Sequence, residues 1–376
     1  MLPRYFLPLA ASLAGSATAV AVLACGGSGA LNPPVSDSQY DDPDDPGNGS
    51  TAAGSAPPVD AGAAPVALPG GSAGIGFDDM RISGDLSVLL VPGGRSGNLD
   101  IVDPSTEHVT SVGGFSTSAS YSGDTSFGVT SADEGNSIIY ATDRTSKTLS
   151  VVDPRQNAIV ASVALASTPG YVRYVSPTNE VWVTEPDQAQ IEIFTLPSSE
   201  NTAPSHAAFI AVPGGPQSLE IDASSADGGG GVAYTQTATN TVAIDVSTRS
   251  VTGSWTNGCM NSEGLAVDGT NGWVISACAE GKVSVLNRQG TTLGSATFSI
   301  SGFGQVAYDA QRTRLYLPSA TAGAMGVVTL GLNGVPSIMG SLTTPGSGAC
   351  AVTGGGGSVY VCAPAQGDLL FVHDPF

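Results

Sequence analysis

The chain has 376 residues, of which 32 are Asp or Glu and only 12 are Lys or Arg, so its formal net charge is −20. Lys147 and Lys282 are the only lysines. No face can therefore present the cationic surface that binds a phosphate backbone, which excludes nucleic-acid binding. Fifty glycines and 25 prolines accompany a hydrophobic fraction of 41%. This composition excludes a helical bundle and predicts a turn-rich β protein with a disordered segment attached.

The first 25 residues predict export. Arg4 is the only charge before an apolar stretch from Tyr5 to Ala24, which is the arrangement of a signal peptide. The stretch ends in Val22-Leu23-Ala24-Cys25, which resembles a bacterial lipobox. The resemblance implies that residues 1–24 are removed and that Cys25 is lipidated, anchoring the protein at the bacterial cell envelope, specifically at the outer membrane. The alternative is an uncleaved membrane anchor, because about 20 apolar residues can span a bilayer.

Residues 25–63 are predicted to form a disordered tether. They consist mainly of Gly, Ser, Pro, Ala and Asp, with Tyr40 as the only aromatic residue. Such a segment buries too little apolar surface to offset its backbone entropy. The run Asp41-Asp42-Pro43-Asp44-Asp45 raises the alternative of a calcium loop. Its prolines break the alternating ligand spacing of an EF-hand and no glutamate closes it, so a solvated acidic linker without metal is predicted.

A short apolar strand followed by a turn recurs along residues 64–376. Leu99-Asp-Ile-Val-Asp-Pro104 and Leu149-Ser-Val-Val-Asp-Pro154 are two clear copies, and a second apolar strand precedes each of them. Seven copies lie roughly 40 to 50 residues apart. They begin at Leu99, Leu149, Ile191, Val242, Val283, Met325 and Leu370. With the apolar runs on either side, each unit becomes four alternating strands without a helix. The fold predicted is all-β, a seven-bladed β-propeller of four-stranded antiparallel blades.

The repeats also carry a family resemblance. Pro169-Gly-Tyr-Val-Arg-Tyr-Val-Ser-Pro-Thr-Asn-Glu-Val-Trp-Val-Thr184, Ile191-Glu-Ile-Phe194 and Ser137-Ile-Ile-Tyr-Ala-Thr-Asp143 resemble the YVTN-type β-propeller repeat. Similar propellers serve as lactonases, as nitrite-reductase haem domains, as lyases and as surface proteins. The resemblance therefore implies the fold more strongly than any activity.

Two functions from different classes are compatible with this reading. The first is a binding or scaffold module whose partner is an envelope protein or a small polar ligand; the alternative is a lactonase-like hydrolase with its site at the channel. The three histidines, His108, His206 and His373, fall outside the innermost strands. No nucleophile elbow and no Cys-x-x-Cys-His haem motif is present. Enzymatic function is therefore the less favoured hypothesis, and no cofactor is expected.

The last repeat lacks an outer strand of its own. Ala64-Pro-Val-Ala-Leu-Pro-Gly70 precedes the first repeat and is similar to the outer-strand segments at residues 161–165 and 209–214. Pairing this N-terminal strand with the last blade would remove two exposed edges and lock the ring. We therefore expect closure of the propeller by the N-terminal strand.

Four cysteines remain besides Cys25, and an oxidising compartment favours their pairing. Cys350 and Cys362 flank a glycine turn at residues 355–357, and its hairpin register places them opposite one another. Cys259 and Cys278 flank a second hairpin less symmetrically. Disulfides Cys350–Cys362 and Cys259–Cys278 are predicted. Free core thiols and metal binding are the alternatives, the second disfavoured because no histidine lies close in sequence to either pair.

Charged residues on the innermost strands mark the candidate site. Aligning these strands gives one position occupied by Asp79, Ser126, Tyr171, Ser218, Gly264, Gln305 and Ala349. Two residues further on lie Arg81, Gly128, Arg173, Glu220, Ala266, Ala307 and Ala351. Charges on packed inner strands are costly unless they are paired. One hypothesis is an interblade ion pair between Arg173 and Glu220. The other is a polar ligand site formed by Asp79, Arg81, Arg173, Glu220 and Gln305.

Overall fold

A computed structural model describes residues 58–60, 62–123, 125–199, 201–224 and 230–376. The predicted signal peptide, Cys25 and the tether as far as residue 57 lie outside the described residues. The described part contains 28 strands and two 3₁₀ turns, at Gly71–Ala73 and Pro186–Gln188.

The strands form seven four-stranded antiparallel sheets, which are the seven blades of the predicted propeller. Strand β1 (Ala64–Ala67) stands apart in sequence from the other strands of its sheet. Blade 1 comprises β2 (Arg81–Ser83), β3 (Val88–Pro92), β4 (Asn98–Val102) and β5 (Val109–Gly113). Blade 2 comprises β6 (Val129–Gly135), β7 (Ile138–Asp143), β8 (Thr148–Asp153) and β9 (Ala158–Ala164). Blade 3 comprises β10 (Val172–Val175), β11 (Glu180–Glu185), β12 (Gln190–Thr195) and β13 (Ser205–Ala211).

Blades 4 to 7 follow in the same order from the innermost to the outermost strand. They comprise β14 (Leu219–Asp222), β15 (Val232–Gln236), β16 (Asn240–Asp245), β17 (Ser250–Thr256); β18 (Ser262–Asp268), β19 (Trp273–Cys278), β20 (Lys282–Asn287), β21 (Thr292–Thr297); β22 (Ala307–Asp309), β23 (Arg314–Ser319), β24 (Ala324–Leu330), β25 (Pro336–Thr343); and β26 (Ala351–Gly355), β27 (Ser358–Ala363), β28 (Asp368–His373), with β1 outermost.

The apolar core lies between blades. In the described part of the chain it divides into seven clusters, each formed by facing residues of two neighbouring blades. Leu99 of blade 1 and Ile139 of blade 2 share one such cluster, and Met80 of blade 1 shares another with Tyr360 of blade 7. Because each sheet buries both faces against its neighbours, removing a large apolar side chain from any blade weakens two blades at once.

The N-terminal strand lies on the outer edge of blade 7. Ala64, Val66 and their neighbours in β1 pair antiparallel with β28, opposite Phe371 and Leu369. Val59 also contacts the propeller: its backbone exchanges hydrogen bonds of 2.8 Å with Ser341 and Thr343 on the edge of β25. Val59, which the sequence analysis assigns to the tether, therefore contacts blade 6.

We expect deletion of residues 26–57 to leave the melting temperature nearly unchanged and deletion of residues 58–70 to lower it. The second deletion removes the ladder hydrogen bonds that the described residues make and re-exposes the edges of β25 and β28. Thermal unfolding of the two truncated proteins beside the mature chain provides the measurement. Equal melting temperatures would contradict closure of the ring by β1.

One carboxyl group is buried in blade 1 away from any cation. Asp100 on β4 is fully buried; one of its oxygens accepts a hydrogen bond from the Ser111 hydroxyl, and Oδ2 has no hydrogen-bond partner among the described residues. Burial raises the pKa of Asp100 from 3.8 to about 6, and the Ser111 hydroxyl lowers it only in part. The folded state thus favours the protonated acid.

Stability should depend on pH through this group. Because the folded pKa of Asp100 lies above the unfolded value, its contribution is present below about pH 4 and is lost as the pH rises through about 6. We expect Asp100→Asn to increase the free energy of unfolding by on the order of 2 kcal/mol at pH 8 and to change it little at pH 4. Urea unfolding at both pH values tests this. Asp103→Asn, at an exposed acid on the same blade, is the control that should give no gain at pH 8.

Candidate functional site

Two rings of side chains line the channel where the innermost strands meet. The first, called here the Arg173 ring, contains residues at equivalent ladder positions in blades 1 to 7: Arg81, Asp133, Arg173, Glu220, Ala266, Ala307 and Val352. The second, the Asp79 ring, lies two residues earlier and contains Asp79, Ser131, Tyr171, Ser218, Gly264, Gln305 and Cys350. All five residues of the predicted ligand site belong to these rings. The structure brings them together.

Blades 2 and 7 depart from the sequence alignment. In blade 7, Cys350 and Val352 occupy the ring positions that the alignment gives to Ala349 and Ala351. In blade 2, Ser126 and Gly128 were aligned with the channel positions, but they precede β6, and Ser131 and Asp133 occupy the rings instead. The alignment of blade 2 slipped because the loop before β6 is long and β6 carries a bulge between Val129 and Ser131.

A turn signal could have placed the two missed residues of blade 2. Asn136 and Ser137 both have left-handed φ angles of 56° and 61° and form the tight β6–β7 turn. Two consecutive positive φ values are typical of the type I′ hairpin turn, which fixes the register of its strands. Counting outward from this turn places Asp133 opposite Tyr140, as observed.

Arg173 is the buried centre of the site, with 1% of its side chain exposed. Its guanidinium donates to both carboxylate oxygens of Asp79, from Nη1 to Oδ2 at 2.5 Å and from Nη2 to Oδ1 at 3.0 Å. Nη2 also donates to Glu220 Oε1 at 3.0 Å. The plane of the guanidinium lies over the ring of Tyr171, 5.2 Å from its centroid. The predicted contact between Arg173 and Glu220 is therefore present, but Asp79 is the closer partner.

Arg81 forms a second set of ion pairs across the channel. Its Nη1 donates to Glu220 Oε1 and Oε2 at 2.8 and 3.0 Å, and its Nε donates to Asp133 Oδ1 at 2.9 Å. Gln305 completes the network, because its Nε2 donates to Asp79 Oδ1 and to the carbonyl of Met80, both at 2.8 Å. The two hypotheses from the sequence thus describe parts of one network, and ligand binding by it stays a prediction.

Burial and pairing act in opposite directions on the acids of this network. Burial raises the pKa of Asp79, and the facing guanidinium of Arg173 offsets the rise only in part. Burial acts in the same direction on Glu220, but the guanidiniums of Arg81 and Arg173 together outweigh it and lower its pKa. For Arg173, burial favours loss of the proton, yet the carboxylates of Asp79 and Glu220 hold its pKa well above the usual value. Both arginines therefore stay charged.

A cavity of about 260 Å³ adjoins the network at one end of the channel. Arg81 and Glu220 line it and keep 27% and 20% of their side-chain area exposed. Its opposite wall is apolar and comes from blades 5 to 7: Leu265, Ala266, Val267, Val306, Ala307, Ala351 and Val352. Small apolar side chains at the ring positions of blades 5 to 7, Ala266, Ala307 and Val352, leave open the space that arginine and carboxylate side chains fill in the other four blades.

A second cavity, of about 280 Å³, is lined in part by the same side chains of Tyr171 and Gln305. Asp78 and Glu263 also line it, and Asp78 is paired with Arg144. Burial raises the pKa of Glu263, although a hydrogen bond from Asn261 lowers it in part. This second cavity adds acidic groups but offers no cation that could bind an anion within it among the residues described.

The two predicted disulfides are present. Cys259 and Cys278 have Cα atoms 5.3 Å apart, and Cys350 and Cys362 have Cα atoms 5.5 Å apart. Glu280 lies beside the first pair, close enough for three ligand atoms to surround an ion. Both sulfur atoms are bonded to each other, however, and a metal would require free thiolates. The disulfides indicate an oxidising, exported environment.

The histidines lie away from the channel. His206 is on the outer strand β13, where its Nδ1 is 3.0 Å from Glu192 Oε1, and His373 ends β28. His108 immediately precedes the outer strand β5. None of the three lines either channel cavity.

Within the part of the chain that the structure covers, no helix is long and apolar enough to cross a membrane.

Solved structures with the same fold are numerous, but sequence comparisons find no relative. No protein-family model and no curated protein matches this chain. A chain of hydrazine synthase from Kuenenia stuttgartiensis is 14% identical, with a TM-score of 0.63, and the match covers 82% of this chain and 97% of that one. A chain of the mitotic checkpoint complex is 10% identical, with the same TM-score, over 82% of this chain and 93% of that chain.

A third similar structure is the β-propeller domain of Cps50 (Swd1) from Myceliophteria thermophila. It is 11% identical, with a TM-score of 0.63, and the match covers 82% of this chain and 99% of that domain. At such low identity these likenesses show the propeller fold and nothing about what this chain binds.

Proposed function

We propose that this chain is an exported β-propeller, anchored by a lipid to the bacterial cell envelope at the outer membrane, that binds a small polar ligand in its channel. The cavity beside the Arg173 ring carries the binding part of the proposal. It combines an apolar wall with two charged side chains that solvent can reach, and such a combination is typical of small-molecule sites. The resemblance of the repeats to the YVTN type supports a surface or envelope role.

The anchoring part of the proposal depends on the N-terminal sequence. Val22-Leu23-Ala24-Cys25 supplies a lipobox-like cleavage site, and the two disulfides fit passage through an oxidising compartment. The glycine- and proline-rich residues 25–63 would then be the segment that joins the lipid to the propeller.

The predicted lipid anchoring at Cys25 is tested by mass spectrometry of the protein from the membrane fraction. We expect a mature chain that begins at an acylated Cys25. An intact segment from Met1 to Ala24, or an unmodified Cys25 thiol on the membrane-bound protein, would contradict the anchoring proposal. A Cys25→Ser variant is the matched control, because it offers no thiol for acylation and its mass should show no lipid at this position.

The binding proposal is tested on residues 58–376 with a panel of polar metabolites that includes lactones. We expect a ligand that raises the melting temperature without being consumed. Turnover of a lactone would instead favour the hydrolase. An absence of any thermal shift across the panel would leave the scaffold role, with a protein partner, as the better account of the fold.

A further inference from the structure

The hydrogen bonds inside the network leave few groups free for a ligand. A carboxylate offers about four lone pairs and a guanidinium five N–H groups. Both oxygens of Asp79 already accept two hydrogen bonds each, from Arg173, Gln305 and Ser131. Glu220 Oε1 likewise accepts two, from Arg81 and Arg173. Both Asp79 oxygens and Glu220 Oε1 are therefore saturated and hold the two arginines in place, whereas Arg173 Nε is buried without a hydrogen-bond partner among the described residues.

Polar atoms of residues lining the cavity that have hydrogen-bonding capacity to spare include Arg81 Nη2 and Glu220 Oε2. They also include Arg173 Nε and Ser218 Oγ, which are buried and have no partner among the described residues. Arg81 Nη2 makes no hydrogen bond to any described residue, and Glu220 Oε2 accepts only one, from Arg81 Nη1 at 3.0 Å. Both side chains line the cavity and are partly exposed. The site thus presents a donor, Arg81 Nη2, and an acceptor, Glu220 Oε2, whose side chains are held by bonds from Arg81 Nη1 to both Glu220 oxygens and from Arg81 Nε to Asp133.

The charge of the network disfavours an anion. Two guanidiniums, of Arg81 and Arg173, face three carboxylates, of Asp79, Glu220 and Asp133, so the sum is one negative charge. An anionic ligand would have to lie beside Glu220 with no unpaired cation to receive it. A cationic ligand would meet the free N–H groups of Arg81. An uncharged group that accepts from Arg81 and donates to Glu220 meets neither penalty.

The rest of the cavity sets the size and polarity of the ligand. The facing wall is formed by alanine and valine side chains of blades 5 to 7, such as Ala266, Ala307 and Val352. The volume of about 260 Å³ lies just below the range that drug-sized ligands occupy. A small body with one polar edge and one apolar side therefore fits.

We infer that the channel cavity takes an uncharged small molecule that presents a hydrogen-bond acceptor beside a donor, as a carboxamide or a pair of sugar hydroxyls does, on a compact apolar body. This inference rests on the proposed function, since it names the ligand class of the same site. It differs from the anion that two arginines would suggest if their carboxylate partners were ignored.

Three probes with one carbon skeleton test the inference: isobutyramide, isobutyrate and isobutylammonium. We expect saturation-transfer NMR on the full mature protein to show binding of the amide at least about tenfold tighter than either charged probe, because a like or unmatched charge beside the ion pair costs several kcal/mol. A methyl pyranoside measured in parallel distinguishes hydroxyl from amide ligands.

Two variants locate the binding. Ala266→Leu should fill the cavity and abolish the signal of the amide or the pyranoside. Ala164→Leu, the same change on the exposed face of β9, should leave it unaltered. The comparison of the three probes needs no variant, so it remains decisive if Ala266→Leu folds poorly.

The outcomes separate the two proposals. Tighter binding of isobutyrate or isobutylammonium, abolished by Ala266→Leu, would overturn the inference of an uncharged ligand and leave the binding site intact. Binding that survives in a folded Ala266→Leu variant, or no binding by any probe up to its solubility limit, would overturn both.

Discussion

Replacing Arg173 by methionine is expected to destabilise the propeller by about 3 to 5 kcal/mol, because it removes the guanidinium that is bonded to the fully buried carboxylate of Asp79. Asp79 is 0% exposed and would retain only Ser131 and Gln305 as side-chain donors. Glu220 would lose less, since it keeps both bonds from Arg81 and is 20% exposed. Urea unfolding of the mature protein measures the loss.

Double replacements identify the partner that matters. Arg173→Met combined with Asp79→Asn should recover much of the lost stability, because no uncompensated charge then remains buried. Arg173→Met combined with Glu220→Gln is the matched comparison and should recover less. A single variant that costs under about 1 kcal/mol, or a coupling larger for Glu220 than for Asp79, would show that the Arg173–Asp79 pair is not the main contact of the buried network.

Arg81→Met provides a further contrast within the same network. Arg81 is partly exposed, and Glu220 would keep the bond from Arg173, so we expect a smaller loss of stability than for Arg173→Met. Binding in the cavity should nevertheless be lost, since the open Nη2 group is removed. Stability and binding are thus assigned to different arginines of one network.

The fold could be predicted because it repeats. Each apolar strand with period-two alternation and each turn is a local signal, and seven degenerate copies average out the errors of any single one. Leu99-Asp-Ile-Val and Leu149-Ser-Val-Val therefore mark β4 and β8 correctly. Local signals also placed Arg81, Arg173 and Glu220 at equivalent positions on their innermost strands.

The site could be predicted only in part, because its contacts cross the channel. The sequence pairs neighbours in the ring, and Arg173 with Glu220 in adjacent blades is such a pair. Arg81 with Glu220 joins blades 1 and 4, and Asp79 with Arg173 joins blades 1 and 3. Which charges meet across an open channel depends on side-chain length and direction, and strand periodicity carries no information about either. Asp133 was missed for a different reason, because the sequence alignment placed the wrong residues of blade 2 at the channel.

We expect removal of either disulfide, that of blade 7 or that of blade 5, to cost about 3 kcal/mol of stability. Cys350 immediately precedes β26 and Cys362 lies near the end of β27, 12 residues apart, while Cys259 and Cys278 are 19 residues apart. In the chain-entropy account the longer loop gives the slightly larger effect. The two double variants, Cys350→Ala with Cys362→Ala and Cys259→Ala with Cys278→Ala, are matched controls for each other.

If removing the disulfide of blade 7 costs more stability than removing that of blade 5, the blade 7 disulfide stabilises the folded state as well as constraining the unfolded chain. Cys350 and Cys362 belong to the apolar cluster between blades 7 and 1, together with Val66 of β1. Blade 7 also combines strands from the two ends of the described chain, so loosening β27 weakens the ladder on which β28 and then β1 depend. Urea unfolding of both variants, with and without reductant, decides between the accounts. The wild-type protein in reductant should lose as much stability as both variants combined; no effect of reductant on its unfolding midpoint would contradict a stabilising role for either disulfide.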